Sequence, residues 1–127
     1  WGSSILECIV PGVQSLPESK ELTTIIEELE LDKMATRLPF GLSTHPGEGG
    51  VLLSRGEQQR VAYARAVMRR APLLLLDEAT ASLDSHSERV IRQSVLKLRN
   101  EGSAILIISH DKRMEEIADS VIDMNLL

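Results

Sequence analysis

Two adjacent carboxylates, Asp77 and Glu78, directly follow a run of four leucines. Such an apolar run predicts a strand buried on both faces, which places the acids where the strand ends. One carboxylate there can hold a metal ion, often through water. The other can orient or deprotonate a nucleophilic water, which contributes about 10²–10⁴-fold in rate. The dipeptide alone favours a solvated acid pair that only closes a strand. The leucines before it and residues 79–84 after it favour a catalytic role instead.

A second candidate site lies in the run from Leu53 to Arg60. Ser54 and Glu57 have the spacing of a capping box, which predicts that a helix begins here. The N-terminus of a helix presents unpaired N–H groups and a partial positive charge, which suit a phosphate. Gly56 would let a ligand approach the backbone closely. The spacing alone favours a phosphate site and a plain helix cap about equally.

His110 follows another apolar run, Ile105–Ile108, and Ser109. A histidine at this position could hydrogen-bond a terminal phosphate, although in isolation it more simply ends a strand. The single cysteine, Cys8, and the scattered histidines do not form a cluster of the zinc type.

The elements that must position these residues alternate between helix and strand. We predict a helix over 54–70, a strand over 73–76, a helix capped by Ser85 and ended by Gly102, a strand over 104–108, a helix over 111–118 and a strand over 120–124. This order implies a parallel sheet with right-handed crossovers. Functional residues of such sheets gather beyond the carboxyl ends of the strands, where both acids and His110 would lie.

Residues 1–52 have a different pattern, in which prolines and glycines separate short helical pieces. We predict one helix from Pro17 to Leu29, another from Asp32 to Leu38, and a loop from Pro39 to Val51. The chain is therefore divided into a helical part, 1–52, and an α/β part, 53–127.

The composition limits the remaining possibilities. A chain of 127 residues is one domain or part of one, and its first residue, Trp1, suggests a piece of something longer. The net charge of -5 and the pI near 5.2 argue against a nucleic-acid partner. The lone Cys8 excludes an internal disulfide and fits a reducing compartment.

The ordered set of motifs resembles the ATP-binding cassette ATPases. Leu53–Arg60 resembles their signature motif, Leu73–Glu78 their Walker B strand with its catalytic glutamate, Ser82–Asp84 their D-loop, and His110 their switch histidine. The resemblance implies a P-loop NTPase-like parallel sheet, preceded by the helical subdomain of the cassette.

The N-terminal part resembles the exporter type of cassette, through the runs Ser4–Ile9 and Leu38–Gly50. The resemblance thus covers essentially the whole chain. It implies a domain that binds and hydrolyses ATP to drive transport at the cytoplasmic face of a membrane. Its implied partners are a second cassette, paired head to tail, and the transmembrane domains of the transporter.

The resemblance also implies roles for the residues at the strand ends. Asp77 would hold Mg²⁺ through water, Glu78 would polarise the attacking water, and His110 would contact the γ-phosphate of ATP.

The signature residues would instead act on ATP held by the partner cassette. Ser54 and Gly56 would reach its γ-phosphate, and Asp84 would cross the dimer interface. The family usually has Gly where Arg55 stands and Gln where Glu57 stands. Arg55 would either hinder close approach or add positive charge beside the phosphate. Glu57 suits the N-terminus of a helix but would place a carboxylate near an anion. Whether these two residues weaken the half-site stays open, and we expect a working site in the intact parent protein.

The phosphate loop of the family, G-x-x-x-x-G-K-[ST], is not in the sequence, because no lysine follows a glycine. We expect it upstream of Trp1, and we expect the chain alone not to hydrolyse ATP. In the family fold its strand would lie between the predicted strands 104–108 and 120–124. Its absence predicts that an apolar sheet edge is left or that those two strands are forced together, and an unpaired edge favours association.

Two alternatives stay open. The chain could be a non-catalytic, truncated cassette that serves as an interaction module, which the missing phosphate loop and Arg55 favour. It could also be a head lobe of the chromosome-maintenance or DNA-repair type, in which the phosphate loop lies in a separate lobe. The exporter-like run from Pro39 to Gly50 and the lack of coiled-coil heptads argue against the second.

Overall fold

A computed structural model describes residues 3–12, 19–47, 52–80 and 83–124. The elements in chain order are α1 (Ile5–Ile9), α2 (Lys20–Glu28), α3 (Leu31–Ala35), a 3₁₀ turn (Gly41–Ser43), α4 (Arg55–Met68), β1 (Leu73–Asp77), α5 (Ser85–Asn100), β2 (Ala104–Ile108) and α6 (Lys112–Glu115). The described part is therefore α/β, and a group of short helices precedes α4, as the sequence predicts.

Helix α4 is the central element of the packing, since it contacts α1, α2, α3 and α5. Its sequence is rich in residues with high helix propensity, and Val61 and Ala64 on its inner face are completely buried. The chain leaves the helix after Met68, shortly before Pro72, whose ring cannot continue a helix. The predicted helix over 54–70 is confirmed to within two residues.

The hydrophobic core is mostly aliphatic, with Tyr63 as an aromatic member, and it is continuous. Its most deeply buried members come from both sides of residue 52: Ile5, Leu6, Ile9, Leu22, Leu29, Leu31, Val61 and Ile91. The helices that precede residue 52 thus share a core with α4 and α5. The division of the chain at residue 52 stays a prediction.

Strands β1 and β2 form a parallel pair in register from Leu73 opposite Ala104 to Asp77 opposite Ile108. Helix α5 supplies the crossover between them, and Gly102, with φ of +90°, follows its end. The predicted parallel arrangement and the predicted strand over 104–108 are both confirmed.

The prediction that the first strand is buried on both faces is wrong for the described residues. Leu76 points towards the helices and is buried, but Leu73 and Leu75 on the opposite face are more than half exposed. Leu106 and Ile108 of β2 are exposed on that same face. On the inner face, Leu76 belongs to the core cluster, and Leu74, Ile105 and Ile107 pack against it.

The prediction of a last strand over 120–124 is also wrong. These residues form no strand, and Val121, Ile122 and Met124 are largely exposed. Apolar β-branched residues have a high strand propensity, but a strand exists only if a neighbour accepts and donates its backbone hydrogen bonds. In the described part of the chain, β1 is the one strand that pairs with β2.

Several predicted helix ends differ from the structure. The cap of α5 is Asp84 rather than Ser85, and α6 is shorter than the predicted 111–118. Helix α2 begins at Lys20, and the predicted start at Pro17 lies outside the described residues. Ser82 of the predicted D-loop also lies outside them.

Candidate functional site

The N-terminus of α4 begins with the capping box that the sequence predicts. The Glu57 N–H donates to Ser54 Oγ over 3.3 Å, and the Ser54 N–H donates to Glu57 Oε2 over 2.8 Å. The first hydrogen bond along the helix runs from the Gln58 N–H to the Ser54 carbonyl. Among the described residues, the N–H groups of Arg55 and Gly56 have no partner.

This helix end can therefore bind an anion. The side chain of Ser54 accepts the capping hydrogen bond through its oxygen, so its O–H proton is still available to donate. Ser54 and Arg55 are exposed, and the positive end of the helix dipole lies at the same place. Together, Ser54, Arg55 and Gly56 offer three donors of the kind that a phosphate group accepts.

Gly56 is buried against the start of α5. A Cβ atom at Gly56 would lie 2.3 Å from Ser87 Oγ, 2.9 Å from Ser87 Cβ and 3.2 Å from Asp84 Oδ2. No side chain fits there unless Ser87 moves. The sequence suggests glycine for the approach of a ligand, but the structure adds that glycine lets the N-termini of α4 and α5 touch.

Asp84 is the N-cap of α5. Its Oδ1 accepts hydrogen bonds from the N–H groups of His86, over 3.0 Å, and Ser87, over 2.9 Å. Hydrogen bonds from Ser87, followed by that from His86, lower the pKa of the Asp84 carboxyl below its ordinary value. Asp84 is thus ionised at neutral pH and lies beside Gly56. Its predicted place across a dimer interface stays a prediction.

Glu57 has both carboxylate oxygens occupied. Oε2 accepts from Ser54, and Oε1 forms an ion pair with the guanidinium of Arg37, which follows α3. Burial raises the pKa of Glu57, but hydrogen bonds from Ser54 and the charge of Arg37 together lower it below its ordinary value. Glu57 is therefore a buried, paired carboxylate rather than a free acid at the helix end.

The acids and the histidine predicted at the strand ends lie at the same edge of the sheet, and two of them, Glu78 and His110, are in contact. Asp77 is the last residue of β1 and is exposed. The Glu78 N–H continues the sheet by donating to the Ile108 carbonyl over 2.8 Å. Glu78 Oε1 lies 3.6 Å from His110 Nε2, and the His110 side chain is 97% exposed. The sheet thus brings together two side chains from the ends of different strands.

Glu78 has a backbone φ of +48°, in the left-handed region. For a residue other than glycine this conformation costs about 1–3 kcal/mol and is concentrated at functional sites. The turn directs the Glu78 side chain towards His110 at the end of β2. A smooth continuation of the strand would send it to the opposite face of the sheet from Asp77.

Comparisons with known proteins agree with this arrangement. Residues 7–81, more than half of the chain, match the family profile described as ABC transporter. The chain belongs to the ABC transporter family.

Curated relatives in this family are called ATP-dependent lipid A-core flippase. The one from Shewanella oneidensis is 41% identical over 112 residues, which cover 88% of this chain and 18% of the relative. That from Alkalilimnicola ehrlichii is 37% identical over 96% of this chain and 20% of its own length. That from Pseudomonas putida is 49% identical over 70% of this chain and 15% of its own length. The chain therefore spans about a fifth or less of the curated relatives that it matches.

The family binds ATP with Mg²⁺, and the donors at the strand ends fit this ion. Among the described residues, no three or more His, Cys, Asp or Glu side chains form a metal-binding group. Mg²⁺ does not need such a group, since it keeps several waters and binds through one or two carboxylates plus phosphate oxygens. The exposed carboxylate of Asp77 at the end of β1 is of the required type.

The helices of this ABC transporter chain are short or polar. None of those in 3–12, 19–47, 52–80 and 83–124 has both the length and the apolar character needed to cross a membrane.

The structure also shows site residues that sequence reasoning missed. Arg37 and Ser87 contact the signature residues Glu57 and Gly56 from distant positions in the chain. Neither lies in a motif, so no local pattern reveals them. The only sequence signal is the unusual acid at Glu57, which requires a cation somewhere in the fold.

Proposed function

We propose that this chain is the signature and Walker B part of the ATP-hydrolysing domain of an ABC exporter. The observation that carries the proposal is the contact of Glu78 with His110 at the carboxyl ends of two parallel strands. A carboxylate and an imidazole held there can act together on a water and a phosphate oxygen. Because the ABC transporter family binds ATP, we take ATP as the nucleotide on which they would act.

Each residue at the strand ends has a proposed role. Glu78 holds and polarises the attacking water, and His110 donates a hydrogen bond to the terminal phosphate. Asp77 binds the waters of Mg²⁺, which would neutralise charge on the phosphates when bound. The exposure of Asp77 and His110 leaves room for a nucleotide next to them.

The signature end of α4 has a separate proposed role. Ser54, Arg55 and Gly56 bind the γ-phosphate of ATP held by a second cassette, through the three donors described above. Glu57 caps this helix end, and Asp84 holds the start of α5 against it. The proposed partners are a head-to-tail second cassette and transmembrane domains, and the proposed location is the cytoplasmic face of a membrane.

The transported substrate is proposed from the relatives alone. Their printed name, ATP-dependent lipid A-core flippase, favours a lipid as the class of molecule moved by the transporter to which this chain contributes.

A second candidate function is a non-catalytic interaction module. The exposed apolar face of β1 and β2 favours it. The contact of Glu78 with His110 favours catalysis, because an interaction module has no need of it.

An experiment that exchanges a segment of a relative for this chain distinguishes the two candidate functions. The matching segment of the Shewanella oneidensis flippase is replaced by this chain, and ATP binding and ATP turnover are measured in the purified protein. The proposal predicts turnover that Glu78→Gln lowers by about 10²–10⁴-fold while ATP binding is kept. A protein that binds ATP but whose turnover is the same with and without Glu78→Gln would contradict the catalytic role.

A further inference from the structure

An acid lies at the helix end that is proposed to bind phosphate. Glu57 is in the first turn of α4, and its amide is adjacent to those of Gly56 and Gln58. The Glu57 side chain is buried, with 9% of its surface exposed. An ionised carboxylate in this position repels an anion unless a cation neutralises it.

Arg37 is the cation that the structure places against this acid. Its guanidinium pairs with Glu57 Oε1, while Oε2 accepts the Ser54 N–H. The charge of Glu57 is thus neutralised on the side away from Ser54, and the carboxylate turns back into the capping box. Ser54 and Arg55 are exposed, so their donors can meet an anion without competition from the Glu57 carboxylate.

Arg37 also joins two regions of the chain. It lies 20 positions before Glu57, directly after α3, whereas Glu57 belongs to α4. The described charged or polar groups that face the Glu57 carboxylate are Arg37 from this segment and Ser54 from its own turn. Asp84 from α5 faces Gly56, the residue next to Glu57.

We propose that Arg37 is a positioning residue of the phosphate half-site, which neutralises Glu57 and holds it in the cap so that the helix end accepts a phosphate. The inference rests on the proposed function, because it assigns a partner to the same half-site. Arg37 itself does not touch the phosphate. Its effect on anion binding passes through Glu57 and disappears when Glu57 carries no charge.

The test uses the whole 127-residue chain and inorganic phosphate at constant ionic strength. Phosphate binding is followed through the amide resonances of Arg55 and Gly56 in NMR spectra at about pH 7 and about pH 4, which lie above and below the ordinary glutamate pKa of about 4.3. The variants are Arg37→Met, Arg37→Lys, Glu57→Gln and the double variant Arg37→Met with Glu57→Gln. Arg69→Met is the matched control, because it removes an exposed arginine from the far end of α4.

The inference predicts that Arg37→Met weakens phosphate binding at neutral pH by about three- to fivefold, the range expected for a partly exposed ion pair. This loss of phosphate affinity is smaller at the lower pH, because part of the unpaired Glu57 is protonated there. Arg37→Lys and the double variant bind as the unchanged chain does, and so does Arg69→Met. A purely structural role of Arg37 would give the same loss at both pH values and no rescue by Glu57→Gln.

The experiment gives one result if only the inference fails and another if the proposed function fails. If the amides of Arg55 and Gly56 respond to phosphate equally with and without Arg37, the inference is overturned and the half-site stands. If they do not respond in the unchanged chain, both the half-site and the inference are overturned. If Arg37→Met does not fold, Arg37→Lys with Glu57→Gln decides: the inference requires this pair to lose no more than Glu57→Gln alone.

Discussion

Glu78 and His110 lie 3.6 Å apart between Oε1 and Nε2, although they end different strands. Three features produce the contact: the parallel register of β1 and β2, the hydrogen bond from the Glu78 N–H to Ile108, and the left-handed backbone of Glu78. In the segment-exchanged flippase this pair would act on the water and the phosphate.

Glu78→Gln is expected to lower the rate of ATP turnover by about 10²–10⁴-fold, because an amide cannot accept a proton from water. His110→Ala is expected to lower it by about tenfold or more, as one hydrogen bond to the phosphate is lost. Steady-state phosphate release in the segment-exchanged flippase is the measurement. Glu115→Gln on α6 is the control, since that side chain is exposed. An active Glu78→Gln protein would refute the catalytic role.

Glu30→Gln is expected to destabilise the fold by about 1 kcal/mol, measured by urea unfolding at neutral pH. The Glu30 carboxylate contacts Lys33 Nζ at 2.6 Å, His86 Nε2 at 2.5 Å and the buried Arg60 at 3.6 Å. It therefore links α3 with α4 and α5. Glu27→Gln, at an exposed glutamate of α2, should change stability by no more than about 0.5 kcal/mol. Equal effects of both substitutions would show that the cluster contributes nothing.

The contribution of Glu30 should also depend on pH. Hydrogen bonds from Lys33 and then His86 lower the pKa of Glu30, so the folded state favours the ionised form. The stability from this shift is complete above the ordinary glutamate value of about 4.3. It is lost as the pH falls through the lowered pKa of the folded state. The stability difference between the unchanged chain and Glu30→Gln, followed by urea unfolding across a pH series, should therefore shrink on acidification.

Gly56→Ala is expected to destabilise the chain by about 1–3 kcal/mol, because the new methyl group overlaps Ser87. At a helix position with open space, the same change would stabilise the chain by about 1 kcal/mol. The sign of the change in stability therefore shows whether a side chain fits at this position. A double-mutant cycle with Ser87→Gly, followed by thermal unfolding, measures the coupling. If Gly56→Ala costs the same in the Ser87→Gly background as in the unchanged chain, the contact between α4 and α5 does not explain the glycine.

The exposed sheet face is expected to cause self-association. Leu75 and Leu106 lie opposite each other in the register, and each is more than half exposed. The outer edge of β2 also lacks a neighbouring strand among the described residues. Leu106→Lys should lower the association constant in sedimentation experiments, whereas Gln93→Lys on the exposed side of α5 should not. A chain that is monomeric at high concentration would contradict this expectation.

Local patterns predict much of the fold. The capping box at Ser54, the apolar run of β2 and the turn at Gly102 are each encoded within a few residues, and the structure confirms all three. The strand expected at 120–124 fails for a non-local reason. Its residues have strand propensity, but a strand also needs a hydrogen-bonded neighbour, which the sequence of the segment itself does not show.

The residues of the candidate site also include some that local patterns predict and some that they do not. Asp77, Glu78 and His110 are predictable because each follows an apolar run and strand ends share an edge of a parallel sheet. Ser87 and Arg37 are not predictable, since their contacts with Gly56 and Glu57 depend on how α5 and the segment after α3 pack on α4.

The proposed completion of a partner's ATP site by Ser54, Arg55 and Gly56 is tested most directly by nucleotide-dependent pairing. The association of this chain with the complete cassette of the Shewanella oneidensis flippase, made unable to hydrolyse ATP, is measured by titration calorimetry in Mg-ATP and in Mg-ADP. The prediction is at least about tenfold tighter association in ATP, lost in Arg55→Glu and kept in Arg65→Glu. Equal association in both nucleotides, or equal behaviour of both variants, would contradict it.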